Sequence, residues 1–264
     1  MQKAAEAARG AALEAGEIQK KGLSRKLSIE HKGTYDLVTD VDRECERAIS
    51  ERLSRVFPGV AILAEEGASD TDGADCWIVD PLDGTTNYAR GYPMFCVSIA
   101  LRLDGKIRLG VVYEPLRDEL FAALEGGPAT LNGRPVAVSD TNDLEQSLLA
   151  TGFPYDRLEQ PETNLDRFCV MTMRTRGVRR GGSAALDLCY TACGRLDGYW
   201  ETRLCPWDVA AGSFMVMRAG GMVTDLRGGE FDFTGREILA SNGRIHGKMI
   251  GALADLPEGA PFFG

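Results

Sequence analysis

The hydrophobic and polar positions of the first 60 residues follow the spacing of two helices. Residues 3 to about 22 are alanine-rich with aliphatic residues on one side, and Gly22 can end this helix. A second helix is predicted from Asp40 and Asp42 to the stop signal at Pro58-Gly59. Its apolar positions recur at helical intervals, at Ile49, Leu53 and Val56. Either aspartate has an ordinary explanation as an N-cap or as a favourable charge on the helix dipole.

Two short apolar runs follow, and acidic residues come directly after each of them in the chain. The run of residues 60–63 leads into Glu65-Glu66, and the run of residues 76–79 leads into Asp80. Runs of this length, rich in β-branched and aliphatic residues, predict buried strands. If the two strands are neighbours, Glu65 and Asp80 lie side by side, which is the arrangement that a binuclear metal site requires.

The second run belongs to the stretch CWIVDPLDGTTNY, from Cys76 to Tyr88. Pro81 is expected to end the paired ladder, and Asp83-Gly84 is a turn signal followed by hydroxyl residues that can open a helix. A corner of this kind can hold hard cations with its oxygens and an anion with its amides. The plainer alternative is that Asp80 caps the strand end and that Asp83-Gly84 is only a tight turn.

The pattern of the rest of the chain predicts a β-rich segment followed by a segment that contains both helices and strands. Antiparallel strands are predicted at residues 94–103, 106–113 and 119–124, and further strands at about 148–151, 178–180 and 198–201. Helices are predicted at about 164–175, 182–193, 206–218 and from residue 244. Asp208 lies at the start of one of these helices, where capping alone would explain it. We expect one domain over residues 1–264, with two lobes of approximately residues 1–146 and 147–264.

Composition and charge narrow the class of protein. The chain has 264 residues, 44% of them hydrophobic, and a formal net charge of −9. These values are typical of a soluble globular protein and argue against a general nucleic-acid surface. One local exception is the basic cluster of Arg174, Arg176, Arg179 and Arg180, which is either a solvated face or a surface for an anionic substrate or partner.

Cysteine and histidine usage excludes several kinds of site. Seven cysteines without framework spacing predict free thiols and a reducing, cytoplasmic location. Cys189 and Cys193 are expected to pack in the core, because two histidines in the whole chain leave little for a zinc site or a Ser-His-Asp triad.

Neither a membrane span nor a secretory signal is predicted. The sequence has no apolar run near 18 residues, and acidic residues interrupt the first helix at Glu6, Glu14 and Glu17.

The chain carries three motifs in order, namely Glu65-Glu66, the DPLDGTT segment at Asp80 and the WDVAAG segment at Trp207. Together they resemble the inositol monophosphatase family of magnesium-dependent, lithium-sensitive phosphatases. The resemblance extends from KGTYDLVTDVD at Lys32 to ILASN at Ile238, and LLATGFPY and RRGGSAALDL are similar to the bacterial branch. It implies an alternating α/β/α/β/α layered fold, often assembled as a homodimer, with the site between the lobes.

The resemblance also implies a role for each matching residue. Glu65, Asp80 and the backbone carbonyl of Leu82 would hold the first magnesium ion, and Asp80, Asp83 and Asp208 the second. Glu65 would also reach a third, weaker ion through water. Asp42 and Thr85 would position and deprotonate the attacking water. The N–H groups of Gly84 and Thr85 would bind the phosphate.

Substrate contacts follow from the same resemblance. Six residues separate Glu201 from Asp208, the spacing at which inositol monophosphatases carry an acid that binds ring hydroxyls. The residues Gly182, Ser183 and Ala184 match a stretch that lines the same pocket, and Lys32 is a weaker match. The alternative for Glu201 is an exposed charge at a strand end.

These residues favour hydrolysis of myo-inositol 1-phosphate or a similar sugar-alcohol monophosphate. Fructose 1,6-bisphosphate, NADP or a 3′-phosphonucleotide are alternatives on the same site. A different class of function is a binding protein that uses this scaffold to contact RNA or a protein through the cluster from Arg174 to Arg180.

Overall fold

The computed structural model describes residues 1–25, 27–31, 37–65, 67, 75–156, 158–159, 163–234 and 236–255. Two residues named above, Lys32 and Glu66, lie outside this described part of the chain. Its helices are α1 (Gln2–Gly22), α2 (Asp40–Val56), α3 (Thr85–Ala89), α4 (Leu165–Arg174), α5 (Ala184–Ala192), α6 (Pro206–Arg218) and α7 (His246–Ala254), with one 3-10 turn at Leu144–Gln146.

The strands form a large sheet, a smaller sheet and a hairpin. The hairpin is β1 (Ile29–His31) and β2 (Leu37–Thr39). The seven-stranded sheet follows chain order through β3 (Ala61–Ala64), β4 (Cys76–Asp83), β5 (Cys96–Leu103), β6 (Lys106–Glu114), β7 (Glu119–Leu124), β8 (Thr130–Leu131) and β9 (Arg134–Pro135). The five-stranded sheet has the order β11-β10-β12-β14-β13, built from β10 (Leu148–Thr151), β11 (Gly177–Arg179), β12 (Gly198–Thr202), β13 (Met222–Thr224) and β14 (Glu237–Ser241).

The helices and sheets form five layers, which pack against one another through three apolar clusters. Helices α1 and α2 cover one face of the large sheet, where alanines of α1 pack with Trp77 and Val79. Helices α5 and α6 lie between the two sheets, and there the alternate residues Cys76 and Ile78 of β4 are buried. Helices α4 and α7 pack on the outer side of the small sheet, with Trp200 in the cluster. Because β4 is buried on both faces, its sequence is a continuous apolar run rather than an alternating one. The layered α/β/α/β/α prediction is confirmed.

Two local expectations need correction. The N-cap of α2 is Thr39, which accepts a hydrogen bond from Val41 N, and Asp42 completes the capping box from the third helical position. Neither Asp40 nor Asp42 is therefore the N-cap. Strand β4 does not end at Asp80: pairing with β5 lapses across Pro81 and resumes at Asp83, which lies opposite Cys96. Proline interrupts the ladder there without terminating the strand, because the irregularity absorbs the missing N–H.

Other features of the chain agree with the expectations above. All seven cysteines are free thiols, and Cys189 is fully buried in the core between the sheets. No helix within the described residues is both long and apolar enough to cross a membrane. The large sheet ends at Pro135 and the small sheet begins at Leu148. We retain the two lobes, residues 1–146 and 147–264, as a proposal on that basis.

Candidate active site

Parallel pairing of β3 with β4 brings two acidic strand ends together. Ala64 lies opposite Val79, and Glu65 N donates to the Val79 carbonyl at 3.3 Å, so that Glu65 and Asp80 follow side by side. Burial raises the pKa of Asp80 well above its ordinary value, and the negative charges of Glu65, Asp83 and Asp208 raise it further. The four carboxylates therefore share one poorly solvated region, although they come from three separate segments of the chain.

Backbone and hydroxyl donors hold one oxygen of each of three aspartates. Asp80 Oδ1 accepts from Leu82 N at 2.9 Å, and Asp208 Oδ2 accepts from Cys205 N at 2.7 Å. Asp83 Oδ2 accepts from Ser183 Oγ at 2.6 Å and from Ala185 N at 2.8 Å. In each of the three carboxylates these bonds engage one oxygen, and the second oxygen is the candidate cation ligand.

The chemistry of this donor set fits magnesium. All candidate ligands, including the Leu82 carbonyl, are hard oxygens, which Mg²⁺ prefers. In the described part of the chain, no three Asp, Glu, His or Cys side chains are already arranged as a ligand shell.

The loop that carries the aspartates is anchored to helix α1. Gln19 Nε2 donates to the Pro81 carbonyl at 2.9 Å, and Tyr88 Oη donates to the Gln19 carbonyl at 2.7 Å. The loop also needs Gly84, whose φ is +96° and where a Cβ would lie 2.8 Å from the Met94 carbonyl oxygen. Sequence reasoning missed Gln19. The feature that could have indicated its role is its position as a polar residue on the same helical face as buried alanines such as Ala15.

Asp42 and Thr85 meet although 43 positions separate them along the chain. Thr85 Oγ1 lies 3.0 Å from Asp42 Oδ1 and 3.0 Å from the Leu82 carbonyl, and its single proton can serve one of them at a time. Asp42 Oδ2 accepts from Thr39 N at 2.9 Å and from Thr39 Oγ1 at 2.5 Å. The carboxylate of Asp42 is thus oriented toward Thr85 by the capping box of α2, a contribution of Thr39 that sequence reasoning missed.

A cavity of about 280 Å³ opens in front of the aspartates. Its lining includes seven of the predicted site residues, namely Glu65, Asp83, Gly182, Ser183, Ala184, Glu201 and Asp208. Five others, Asp42, Asp80, Leu82, Gly84 and Thr85, are not part of the described lining. The cavity also has walls that sequence reasoning did not assign, namely residues 151–155, Arg180, Asp187, Arg203, Leu204, Cys205 and Trp207. These come from strand ends, loops and the first turns of α5 and α6, with no common motif.

Glu201 faces this cavity, so the alternative of an exposed strand-end charge is wrong. Tyr199 Oη donates a short hydrogen bond to Glu201 Oε2 from the same face of β12. Burial raises the pKa of Glu201 to about 7, and the Asp83 charge adds to the rise, while the Tyr199 hydrogen bond and the Arg180 charge oppose it. A side chain at Gly152 would collide with the Glu201 carboxylate, so glycine allows the loop to close over it.

The basic cluster does not act as one unit. Arg180 lines the cavity, whereas Arg174 forms an ion pair with Asp255 at 3.2 Å and Arg176 donates to the side chain of Gln146. Of the four arginines, Arg180 is therefore the one placed to face an anionic substrate. A second cavity arginine, Arg203, is neutralised by an ion pair with Asp156.

Comparisons with known proteins agree with this architecture. A family model for the inositol monophosphatase family matches residues 1–258. The chain is 50% identical over 233 residues to the inositol-1-monophosphatase of Synechocystis sp., covering 87% of this chain and 81% of that protein. It is 41% identical over 244 residues to the Nus factor SuhB of Pasteurella multocida, covering 91% of each.

A solved structure gives the same result in three dimensions. The inositol monophosphatase from Anabaena (Nostoc) superposes with a TM-score of 0.89 at 46% identity, covering 97% of both chains. The matches extend along the whole fold and include every segment that contributes to the cavity. The chain therefore belongs to the inositol monophosphatase family, a family of phosphatases.

Proposed function

We propose that this protein is a magnesium-dependent phosphatase that hydrolyses myo-inositol 1-phosphate or a similar sugar-alcohol monophosphate. The observation that carries the proposal is the cavity itself. Its lining combines three carboxylates with hard oxygen donors, Glu65, Asp83 and Asp208, with a fourth, Glu201, from strand β12. This arrangement suits an ester whose phosphate meets cations while its alcohol meets a hydrogen-bond acceptor.

Two or three Mg²⁺ ions are expected in the site. Glu65, Asp80 and the Leu82 carbonyl would hold the first, and Asp80, Asp83 and Asp208 the second, with Asp80 shared and Glu65 near a third. When bound, such ions make a water more acidic and neutralise charge on the leaving ester oxygen. We propose inhibition by lithium on the same basis of family resemblance.

The chain's own residues would prepare the attacking water. Asp42 Oδ1 lies 3.0 Å from the Thr85 hydroxyl, so it can accept the hydroxyl proton while the Thr85 oxygen accepts a hydrogen bond from water. Asp42 would then be the final proton acceptor. The N–H groups of Gly84 and Thr85, at the first turn of α3, would bind the phosphate oxygens. Displacement at phosphorus needs alignment and charge neutralisation more than a protein nucleophile.

Glu201 would select the alcohol. A carboxylate that faces vicinal hydroxyls accepts two hydrogen bonds and disfavours substrates that lack them. The segment Gly182, Ser183 and Ala184 would line the same part of the cavity, with Asp208 at its boundary. The Synechocystis and Anabaena relatives, both named inositol monophosphatases, support this choice. Fructose 1,6-bisphosphate, NADP and 3′-phosphonucleotides remain the competing esters. A homodimer in the cytoplasm is part of the proposal.

A phosphate-release assay on all four substrates tests the proposal. The protein should release phosphate fastest from myo-inositol 1-phosphate with Mg²⁺, lose activity with a chelator, and be inhibited by lithium. Faster hydrolysis of another ester would identify that ester as the preferred substrate and would leave the proposed metal-dependent hydrolysis unchanged. Chelator-resistant turnover would contradict the metal assignment.

A second candidate function is suggested by the relatives named Nus factor SuhB, such as the Pasteurella multocida protein. The chain presents exposed arginines outside the cavity, Arg174, Arg176 and Arg179, which could contact RNA or a protein. Charge reversal of Arg176 and Arg179 should then abolish capture of that partner and leave phosphate release unchanged. Unaltered capture would remove this candidate.

A further inference from the structure

Asp187 is a buried carboxylate that faces the cavity without a hydrogen-bond donor. It lies in the first turn of α5, its residue is only 3% exposed, and it is part of the cavity lining. Its backbone groups bond to Ser183 and Thr191, but no described residue donates a hydrogen bond to its carboxylate. No role was assigned to it above.

An unpartnered buried carboxylate is costly, so its presence needs a reason. Removing such a group from water without a compensating hydrogen bond destabilises the folded protein. Burial raises the pKa of Asp187 well above its ordinary value, the charges of Glu201 and Asp83 raise it further, and Arg180 opposes the rise. The donors for its oxygens therefore come from what occupies the cavity, which is water in the free protein and a ligand when one is bound.

Asp197 shows what a buried aspartate looks like when its role is structural. It is 7% exposed, and its carboxylate accepts from Ser139 Oγ at 2.6 Å and from Leu148 N at 2.7 Å. Those two donors tie the start of β10 to the turn before β12. Asp187 has the same degree of burial and neither kind of donor, which separates a ligand-facing carboxylate from a structural one.

The surroundings of Asp187 repeat those of Glu201. A Cβ at Gly181 would lie 2.8 Å from Asp187 Oδ1, just as a side chain at Gly152 would meet the Glu201 carboxylate. Each carboxylate is therefore backed by a glycine and directed into the same space. The Glu201 charge contributes to the raised pKa of Asp187, which indicates that the two carboxylates lie near one another. Two acceptors of this kind suit a ligand with several hydroxyl groups.

We propose that Asp187 is a second hydroxyl-binding carboxylate, which acts with Glu201 to select esters of polyhydroxylated rings over other phosphate monoesters. This inference rests on the proposed function, since it deepens the specificity of the same cavity. It assigns to Asp187 no part in metal binding or in the chemical step.

The test compares Asp187→Asn with wild type on two substrates that share a six-membered ring. Myo-inositol 1-phosphate carries ring hydroxyls, and cyclohexyl phosphate carries none. The variant should raise KM for myo-inositol 1-phosphate about tenfold, as expected for loss of a hydrogen bond to a charged acceptor. Its kcat and its kcat/KM for cyclohexyl phosphate should stay within about twofold. The discrimination between the substrates should fall accordingly.

Asp197→Asn is the matched control. It replaces an equally buried aspartate whose donors are protein groups, so it should lower the thermal unfolding temperature and leave discrimination unchanged. Asp187→Asn should not lower the unfolding temperature of the metal-free protein, since no protein hydrogen bond is lost. It should also reduce the stabilisation that myo-inositol 1-phosphate gives in a thermal shift assay.

Three outcomes would overturn the inference. They are equal loss on both substrates, an altered dependence on Mg²⁺ concentration, and unchanged discrimination with an unchanged thermal shift. Phosphate release by the wild-type protein tests the proposed function separately. If the wild-type protein releases phosphate from none of the esters, the proposed function alone is refuted. In that case the thermal shift would still test Asp187: a smaller shift in the variant supports the inference, and equal or absent shifts refute it.

Discussion

We distinguish two groups of buried carboxylates by their proposed ligands, a metal side and a polyol side, and the protein supports them in opposite ways. On the metal side, Asp80, Asp83 and Asp208 each accept at least one hydrogen bond from a backbone N–H. On the polyol side, comprising Glu201 and Asp187, the described residues provide one donor to Glu201 and none to the carboxylate of Asp187. The protein holds the metal side in place, as the proposed ion-dependent chemistry would require. The polyol side has acceptor oxygens that the described residues leave open, and these would be available to substrate hydroxyls under the proposed function.

Removal of a metal-side charge should produce the largest effect. In Asp83→Asn, the amide oxygen can still accept from Ser183 and Ala185, so the protein should fold, but one anionic ligand is lost. We expect kcat to fall by about 10³-fold, equivalent to about 4 kcal/mol of transition-state stabilisation. Phosphate release at saturating Mg²⁺ measures the change.

Asp104→Asn is the control for this substitution. Asp104 is 84% exposed and has a φ of +51°, which asparagine also tolerates. It should retain full activity. Near-normal turnover in Asp83→Asn would remove the distinction between the two sides, because the metal side would then not control the chemistry.

The hydroxyl of Thr85 should rank second. Thr85→Ala removes the hydroxyl proposed to link Asp42 to the attacking water, and kcat should fall by about 10²-fold. Thr85→Ser keeps the hydroxyl and should lose less than about tenfold. Single-turnover phosphate release separates the chemical step from binding. If the serine variant were as damaged as the alanine variant, packing of the methyl group would explain the effect instead.

The pH dependence of stability tests the burial of Glu201 without a substrate. Glu201 has a pKa of about 7 in the folded protein against 4.5 as the ordinary value. The folded state then binds more protons between these values, so this group lowers stability as pH rises through about 4.5 to 7. Asp80 and Asp208, also raised by burial, act in the same direction, whereas the lowered pKa of His246 acts in the opposite one.

Thermal unfolding of the metal-free protein from pH 5 to pH 8 measures this dependence. Glu201→Gln should flatten it and should gain stability relative to wild type above pH 7. Mg²⁺ should stabilise the protein more at pH 8 than at pH 5, because deprotonated carboxylates bind cations. An unfolding temperature that is unaffected by Glu201→Gln would show that burial does not perturb this carboxyl group.

The smallest effect is expected from the single donor on the polyol side. Tyr199→Phe removes the hydrogen bond to Glu201, and the KM for myo-inositol 1-phosphate should rise about fivefold, equivalent to about 1 kcal/mol. The kcat should change little, since Tyr199 does not touch the metal side. Tyr113→Phe, which removes a 2.8 Å hydrogen bond to Asp118 outside the cavity, is the matched control. Equal KM values in both variants would show that Glu201 needs no support.

Local pattern was sufficient for most elements and for the metal side. Helices α1, α2 and α6 and strands β3 to β7 lie close to their predicted positions, because apolar periodicity and turn residues are local signals. The short strands β8 and β9 were not predicted. Asp80 and Asp83 stand together in one motif, and Glu65 joins them through the pairing of two predicted strands. The ion-binding roles of these residues remain a prediction.

Only the tertiary structure decided which residues distant in the sequence support the candidate site. Gln19, Thr39 and Asp187 sit in ordinary helical or capping contexts, and nothing in their neighbouring residues marks the loop, the carboxylate or the cavity that each one contacts. Gly152 and Glu201 are likewise 49 positions apart. Hydrogen-bond partners and burial depend on how layers pack, and packing joins segments with no common periodicity. The sequence by itself therefore determined the chemistry to look for, and the packed layers decided which side chains shape the space for the alcohol.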